Sequence, residues 1–424
     1  MDERIQQLVD EVKQQFKLED YFLKRYHIFH ESREAGQAVY VFSMEWFPND
    51  MNHEKADNDE EDLNPDGTVV IEIDFHSEAL YRLVFVGGVS HPQAKDLFPS
   101  PGKAKVIDWV EEITDLVFGK QFKIDSAKDN AFRFSAAVDH IPVAPPGTIQ
   151  VEFNNSDELT LFSIDGFFPV ENKVAWEPFS LLPENLEHLF KQQLKLIDIP
   201  LEEEERWLPI YGIDEIYVRN QGEQTLEYVA SQKENINLPL EWSTPLEGSI
   251  KEKTEIDLST EVTLEQALEK KPHPDNEPIT NEEKQLVIKR TRDFMRQEYP
   301  HDSGKWTIFT ITRENGYILS ELRIVQANVQ IFPRKIKVIF SRDTLIVTNY
   351  IDNKMLLDMF AEYKESDSEV ISAEVAFDKL KDHMTVTPVY LYHPNEDMYY
   401  LYGKIDSNFG VNATNGEIVH LDGL

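Results

Sequence analysis

The sequence Ser372-Ala-Glu-Val-Ala-Phe-Asp-Lys-Leu380, together with the later segment Val411-Asn-Ala-Thr-Asn-Gly-Glu-Ile418, indicates the fold class. Ser372 is a favourable helix N-cap, because its hydroxyl can accept a backbone N–H that the helix leaves unpaired. Residues 401–405 alternate between apolar and polar, as a half-buried strand does. Asn415-Gly416 predicts a two-residue hairpin turn, since both positions tolerate positive φ. The pattern predicts an α+β fold in which a helix packs on an antiparallel sheet.

The same order of elements, a helix followed by strands, recurs earlier in the chain. The fifteen-residue segments Val151–Asp165 and Val338–Asp352 carry Val, Phe, Ile and Asp at identical offsets. We interpret the chain as repeated units of a helix packed on an antiparallel sheet, with a partial copy in front. Chance resemblance of two strand–turn–strand segments is the alternative. Apart from an N-terminal helix, helices are predicted at residues 103–118, 183–197, 282–299 and 372–384.

Breaks in the pattern divide the chain into predicted domains. The proline-rich segment 270–280 has no apolar period, and a second break lies near residues 98–101. The predicted domains are a partial α+β unit at residues 1–98 with an acidic loop at 49–67, a repeat unit at 101–242, a linker at 243–280 and a repeat unit at 281–424.

The two C-terminal motifs carry a family resemblance. Ser372, Glu374 and Ala376 form a Ser-x-Glu-x-Ala pattern, and residues 411–418 form a Val-Asn-Ala-Thr-Asn-Gly-Glu-Ile turn. This arrangement resembles the PepSY module and the related YcdB-type repeat proteins of Gram-positive bacteria, in which Asp usually stands at the position of Asn412. The resemblance covers roughly residues 370–420. PepSY modules are associated with propeptides and with restraint of peptidases, so the resemblance implies a non-catalytic interaction role.

The charge of the chain restricts its partners. Its 424 residues include 42 Lys and Arg against 78 Asp and Glu, a formal net charge of −36. Affinity for nucleic acid or anionic lipid depends on clustered Lys and Arg, so we expect neither nucleic acid nor a membrane as a partner. We expect a chain with this negative charge to bind proteins or peptides that are basic. The N-terminus begins with an amphipathic helix rather than a signal sequence, which predicts a cytoplasmic protein.

Residue types and motifs also restrict the chemistry. The chain has no cysteine, which excludes disulfides and thiolate metal sites. No G-x-S-x-G elbow, phosphate-binding loop or dinucleotide fingerprint is present, so we predict no catalytic residue and no organic cofactor. The leading interpretation is a non-catalytic protein- or peptide-binding module. The alternative is a hydrolase that uses acidic residues in a cleft between repeats.

One spacing predicts a metal site. Residues 62–67 read Asp-Leu-Asn-Pro-Asp-Gly, which places Asp62, Asn64 and Asp66 at the first three ligand positions of a calcium loop. The twelfth position is Ile73 instead of a bidentate Glu, and the preceding residues predict a strand. A plain Asn-Pro-Asp-Gly hairpin turn is therefore the alternative to Ca²⁺ binding.

Two histidines, His27 and His30, stand three residues apart in a predicted strand. Side chains at this spacing point to opposite faces of a strand. We therefore interpret them as ordinary surface or half-buried histidines and not as a pair of metal ligands.

Overall fold

The described residues of the chain form both helices and sheets and are mostly β, with 40% strand and 24% helix. The predicted α+β class is confirmed in this general form. The sheets are large and mixed, whereas purely antiparallel sheets were predicted. This computed structural model describes residues 2–34, 37–50, 64–90, 97–221, 224–226, 233–248, 253–324, 329–366, 368–394 and 396–423.

Two compact units make up the chain, and each is assembled from separate stretches of sequence. Unit 1 comprises Met1–Trp176, Ser259–Asn276 and Val389–Tyr400. Unit 2 comprises Glu177–Leu258, Glu277–Pro388 and Leu401–Leu424. The domain boundaries predicted from the sequence stay a prediction. Within the described ranges, no helix is both long and apolar enough to cross a membrane.

The helices begin at residues suited to capping. The Ser372 hydroxyl accepts the N–H of Val375, which confirms the predicted N-cap. Thr280 and Glu283 form a reciprocal capping box before the longest helix. The helices are α1 (Glu3–Gln15), α2 (Lys103–Thr114), α3 (Glu187–Gln193), α4 (Leu264–Leu268), α5 (Asn281–Glu298), α6 (Lys354–Asp358) and α7 (Ala373–Leu380), with 3-10 turns at Val86–Gly88, Glu171–Lys173, Pro183–Leu186, Glu202–Glu204, Pro274–Asn276, Lys381–His383 and Leu421–Gly423.

Unit 1 is built on one antiparallel sheet. Its strands are β1 (Tyr21–Glu34), β2 (Gln37–Pro48), β3 (Val69–Asp74), β4 (Leu80–Phe85), β5 (Phe122–Lys128), β6 (Ala131–Val138), β7 (Ile141–Ala144), β8 (Thr148–Phe153) and β9 (Leu159–Asp165). They pair in the order β1-β2-β3-β4-β9-β8-β6, and β5 pairs with β6. β7 extends from β6 and runs parallel to residues 390–391. The apolar faces of α1 and α2 share one core with these strands, through residues such as Leu8, Val110, Trp46 and Phe134.

Unit 2 contains smaller sheets. Its strands are β10 (Leu194–Leu201), β11 (Arg206–Ile213), β12 (Ile216–Arg219), β13 (Thr225–Leu226), β14 (Lys233–Pro239), β15 (Trp306–Glu314), β16 (Tyr317–Ile324), β17 (Val329–Gln330), β18 (Lys335–Phe340), β19 (Val347–Asp352), parts of β20 (Thr385–His393) and β21 (Met398–Asp406), β22 (Phe409–Asn412) and β23 (Ile418–His420). β14-β15-β16-β18-β19 form an antiparallel sheet covered by α5. β17-β10-β11-β22-β23 form a mixed sheet, and β12 pairs with β13 and β21.

The turn between β22 and β23 differs from the predicted two-residue hairpin. It contains four residues, Ala413–Gly416, because Asn412 accepts the N–H of Gly416 through its carbonyl at 2.8 Å. The Asn412 side chain also accepts hydrogen bonds from the backbone and hydroxyl of Thr414, at 2.8 and 2.7 Å. These bonds form an Asx turn at the start of the loop, and Gly416 at its end has positive φ (+77°).

Candidate functional site

A cavity of about 810 Å³ opens on unit 1, and we call it the unit 1 groove. Five separate pieces of chain line it: Val39 of β2, the β3–β4 turn, the C-terminal end of α2, the end of β9 with the loop after it, and part of the Ser259–Asn276 segment. Its walls combine apolar and charged side chains. The principal apolar lining residues are Leu80, Ile113, Leu116, Ile164, Phe167 and Phe168.

The β3–β4 turn is organised by Asp74. One carboxylate oxygen of Asp74 accepts the N–H groups of His76 and Ser77, at 3.0 and 2.6 Å, and the Ser77 hydroxyl at 2.9 Å. The other oxygen accepts the Tyr81 hydroxyl at 3.2 Å. Four donors from its own turn thus surround this buried carboxylate. Asp74 therefore fixes the shape of the groove wall and does not offer itself as a reactive group.

A second wall comes from the end of α2. The helix ends at Thr114 because Asp115 adopts the left-handed conformation, with φ +56°. The carbonyl end of a helix carries partial negative charge, which favours a nearby cation. Asp115 and Glu78 add carboxylates to the lining, and Glu78 also accepts a hydrogen bond from Arg4 at 3.1 Å. Of the lining residues, three are carboxylates and one, Lys270, is a cation.

Two glycines place the aromatic wall. A Cβ at Gly147 would lie 2.3 Å from the Phe167 carbonyl oxygen and 2.7 Å from the Phe168 ring. A Cβ at Gly166, which has φ +77°, would lie 2.7 Å from the Pro146 carbonyl oxygen. Both positions therefore require the absence of a side chain. This close backbone approach holds Phe167 and Phe168 at the groove.

The Ser259–Asn276 segment is held on the sheet by backbone hydrogen bonds. The N–H of His30 donates to the Thr260 carbonyl at 2.7 Å, and the N–H of Val262 donates to the Ile28 carbonyl at 2.8 Å. Farther along, the Tyr40 hydroxyl donates to the Lys271 carbonyl at 2.6 Å. These bonds place the adjacent Lys270 at the groove.

A histidine cluster lies beneath this segment. The His30 ring stacks on Tyr40 and contacts His273, with ring centroids 4.7 Å apart in both cases. Only 6% of His30 is exposed, and its Nε2 has no hydrogen-bond partner within the described part of the chain. Burial, and then the neighbouring His273, lower the pKa of His30 to about 4, while a hydrogen bond with the Lys271 backbone and the charge of Asp275 act in the opposite direction. Burial likewise lowers the pKa of His273.

His76 connects this cluster to the groove. Its ring contacts Tyr40 edge-on at 5.8 Å, and the residue also lines the groove. Burial is the main cause that lowers the pKa of His76, followed by the charge of Lys270, while Asp74 and the Ala267 backbone oppose the shift. Near neutral pH the buried imidazoles of this cluster are therefore uncharged. A neutral cluster allows the Ser259–Asn276 segment to pack closely.

The histidines predicted from the sequence have separate environments. His27 pairs with Glu261 at 2.9 Å, whereas His30 is buried against Tyr40. Neither lies in a group of three or more His, Asp or Glu residues able to hold a metal, and the described residues contain no such group. The contact of His30 with His273 could not be predicted from the sequence, because 242 residues separate the two positions in the chain.

The predicted calcium ligands are described only in part. Asp62 lies outside the described residues, as do residues 51–63 of the acidic loop. The Asn64 side-chain oxygen accepts a hydrogen bond from Arg25 at 3.0 Å. Asp66 is exposed beside Gly87, in a turn where the Thr68 N–H donates to the Pro65 carbonyl at 3.1 Å. Ca²⁺ binding by Asp62, Asn64 and Asp66 stays a prediction.

Comparison with known proteins gives little similarity. No protein-family model matches the chain, and no curated protein does. Among solved structures, the chain is similar to the Bacillus megaterium YpeB C-terminal domain. The alignment covers 53% of this chain and 97% of that domain, with 10% sequence identity and a TM-score of 0.24. A score at this level supports no conclusion about fold or function.

Proposed function

We propose that this protein is a non-catalytic protein- or peptide-binding module, and that the unit 1 groove accepts a segment carrying an apolar side chain next to a basic one. The observation that supports this most is the lining of the groove, in which an apolar wall stands beside carboxylates and a helix carbonyl end. Ligand sites commonly combine an apolar cavity with a few polar groups that fix orientation.

The apolar wall would supply most of the affinity. Leu116, Ile113 and Phe168 are partly buried against the core of unit 1 and so are held in place by it. A partner Leu or Phe side chain transferred from water onto such a wall contributes about 1.5–3 kcal/mol. Preorganised lining residues lose little entropy on binding.

The charges would supply the preference for a basic neighbour. Asp115 is exposed at the carbonyl end of α2, so its charge and the helix dipole act in the same direction. The net charge of −36 also attracts cationic partners over longer distances. Lys270 offers a position for the partner's own carboxylate or carbonyl group.

A binding role agrees with the family resemblance and with the environment of Asp74. Ser372-x-Glu-x-Ala376 resembles the helix start of PepSY modules, which implies interaction with peptides or peptidases. A non-catalytic role also agrees with Asp74, because its carboxylate already accepts hydrogen bonds from its own turn and is not available to act on a substrate.

We also propose that the chain consists of repeated helix-on-sheet units. In support, α1, α2 and α5 each precede four strands that pair in succession, namely β1-β2-β3-β4, β5-β6-β8-β9 and β15-β16-β18-β19.

The test is selection of peptides from a random display library with the full chain as bait, followed by calorimetry of the best binder. We expect enriched peptides with an apolar residue beside Lys or Arg. Leu116→Ala and Asp115→Asn should each weaken binding about three- to tenfold. The matched controls are Leu258→Ala in unit 2 and Asp108→Asn, which is exposed on α2 and does not line the groove. Enrichment of no peptide, or equal affinity of groove and control variants, would reject the proposal.

A further inference from the structure

Unit 2 carries an apolar surface that is exposed among the described residues. Met355 is 85% exposed and Met359 is 69% exposed, although both side chains are apolar. Leu356, Ile331 and Phe332 are also exposed large apolar residues. We call these five residues the methionine patch. Monomeric proteins rarely expose adjoining apolar residues of this size unless another molecule covers them.

An aromatic base supports the patch. The Phe332 ring stacks on Phe360 with centroids 6.0 Å apart and planes 7° apart. Phe360 in turn contacts Trp207 at 5.5 Å and Tyr363 at 5.2 Å, and Trp207 is buried. The base is therefore anchored in unit 2. Met359 directly precedes Phe360 in the chain, and both methionines have unbranched, polarisable side chains that can adapt to different apolar partners.

Carboxylates flank the patch. Residues 202–205 are four consecutive glutamates, and backbone hydrogen bonds hold them next to Lys364, which follows the patch residues in the chain. The Lys364 N–H donates to the Glu205 carbonyl at 3.0 Å, and the Trp207 N–H donates to the Lys364 carbonyl at 3.1 Å. Together, the described residues of 202–206 and 354–369 include eight carboxylates and three cations. A partner must therefore match both an apolar centre and a negative margin.

We propose that the methionine patch docks a basic amphipathic helix of another protein, with apolar side chains against Met355 and Met359 and Lys or Arg side chains toward the flanking carboxylates. Met355 and Met359 lie at i and i+4, so they form a ridge of the kind that a second helix can pack against. Helix-in-groove recognition uses apolar anchors at helical spacing in the same way. This surface belongs to unit 2 and shares no residue with the unit 1 groove.

Other occupants fit the patch less well. A second copy of this chain would bring its own carboxylates against the same margin, and a surface of anionic lipid would be repelled in the same manner. Addition of a strand requires a long open sheet edge, whereas the neighbouring edge strand β17 has two residues. A basic helix satisfies both the apolar and the electrostatic requirement.

The experiment measures binding of a labelled synthetic helix of about eighteen residues, composed of Leu and Lys in an amphipathic pattern, to the full chain by fluorescence anisotropy. The same helix with Glu in place of Lys is the charge control. Met355→Ser/Met359→Ser is the patch variant, Leu258→Ser is the matched control, and Leu116→Ala reports the unit 1 groove. Because both methionines are exposed, the patch variant should keep the wild-type melting temperature, and a melting curve verifies this.

We expect the Leu/Lys helix to bind, the patch variant to bind it at least about tenfold more weakly, and both Leu variants to bind it as the wild type does. Raising the salt to about 0.5 M should weaken binding, since it screens the flanking charges. Equal binding by the patch variant and the wild type would overturn the proposal. So would binding of the Leu/Glu helix with the same affinity, or a dimer of the chain that the patch substitutions dissociate.

Discussion

Replacing His30 with Phe should make the stability of the protein less sensitive to acid. His30 is 6% exposed and contacts Tyr40 of β2 and His273 of the Ser259–Asn276 segment. The titratable groups that act on its pKa are His273 and Asp275, the Lys271 backbone forms a hydrogen bond with it, and burial is the largest cause of its lowered pKa. Phe keeps an aromatic ring at this position but cannot bind a proton.

The magnitude follows from the two pKa values of His30. The pKa falls from its usual 6.5 to about 4 in the folded chain. The unfolded chain therefore binds more protons between these two values, and the free energy of unfolding decreases as the pH falls below 6.5. Between pH 7 and pH 5 the linkage amounts to about 2 kcal/mol for one such group. Between pH 7 and pH 5, the unfolding free energy of the wild type should therefore fall by about 2 kcal/mol more than that of His30→Phe.

Urea unfolding at pH 7 and pH 5 measures the difference, and hydrogen–deuterium exchange locates it. In the wild type, amides near the Tyr40–Lys271 and His30–Thr260 hydrogen bonds should exchange faster at pH 5 after correction for intrinsic rates. His188→Phe, at an exposed position of α3, is the control and should behave as the wild type. An acid-induced loss of stability in His30→Phe as large as that of the wild type would refute this reasoning.

Three other substitutions test the construction of the sites. Gly147→Ala should lower the unfolding free energy by about 1–3 kcal/mol in urea, because its Cβ would lie 2.3 Å from the Phe167 carbonyl oxygen, whereas Gly212→Ala meets no atom within 4 Å and is the control. Asp74→Ala should cost about 2–4 kcal/mol in the same assay, since it leaves the donors of the β3–β4 turn unpaired, and a loss under 0.5 kcal/mol would contradict that role. Asp66→Ala should abolish any Ca²⁺-induced rise in melting temperature, and a wild type that Ca²⁺ does not stabilise would reject the calcium prediction.

Local chemistry allowed several elements to be predicted from the sequence. The Ser372 N-cap and the helix after residue 281 follow from side-chain groups next to the backbone they satisfy. Where long-range pairing decides, the prediction failed: residues 194–197 were predicted as helix but form part of β10, which pairs with β11 over its whole length. Their apolar spacing suits either structure. Helix α2 ends at Thr114, whereas the predicted helix continued to residue 118, because Asp115 adopts the left-handed conformation. Residues other than Gly seldom adopt this conformation, so the sequence gives little indication of it.

The unit 1 groove could not be predicted, because its lining comes from segments far apart in the sequence. One local signal was available: Asp side chains commonly accept the backbone N–H two residues on in an Asx turn, and Asp74 accepts the N–H of His76 in this way. The Ser259–Asn276 segment was predicted as part of a linker from its prolines. Its packing depends on backbone bonds to β1 and on His273 contacting His30, which composition does not reveal.

The most direct test of the binding function is hydrogen–deuterium exchange of the full chain with and without a saturating selected peptide. If the peptide lies in the unit 1 groove, exchange should slow in the β3–β4 turn (residues 74–81), at the end of α2 (residues 113–116) and around Lys270, with little change in α5 as an internal reference. Unchanged exchange at all of these positions, or protection confined to other parts of the chain, would contradict the assignment of the groove as the peptide site.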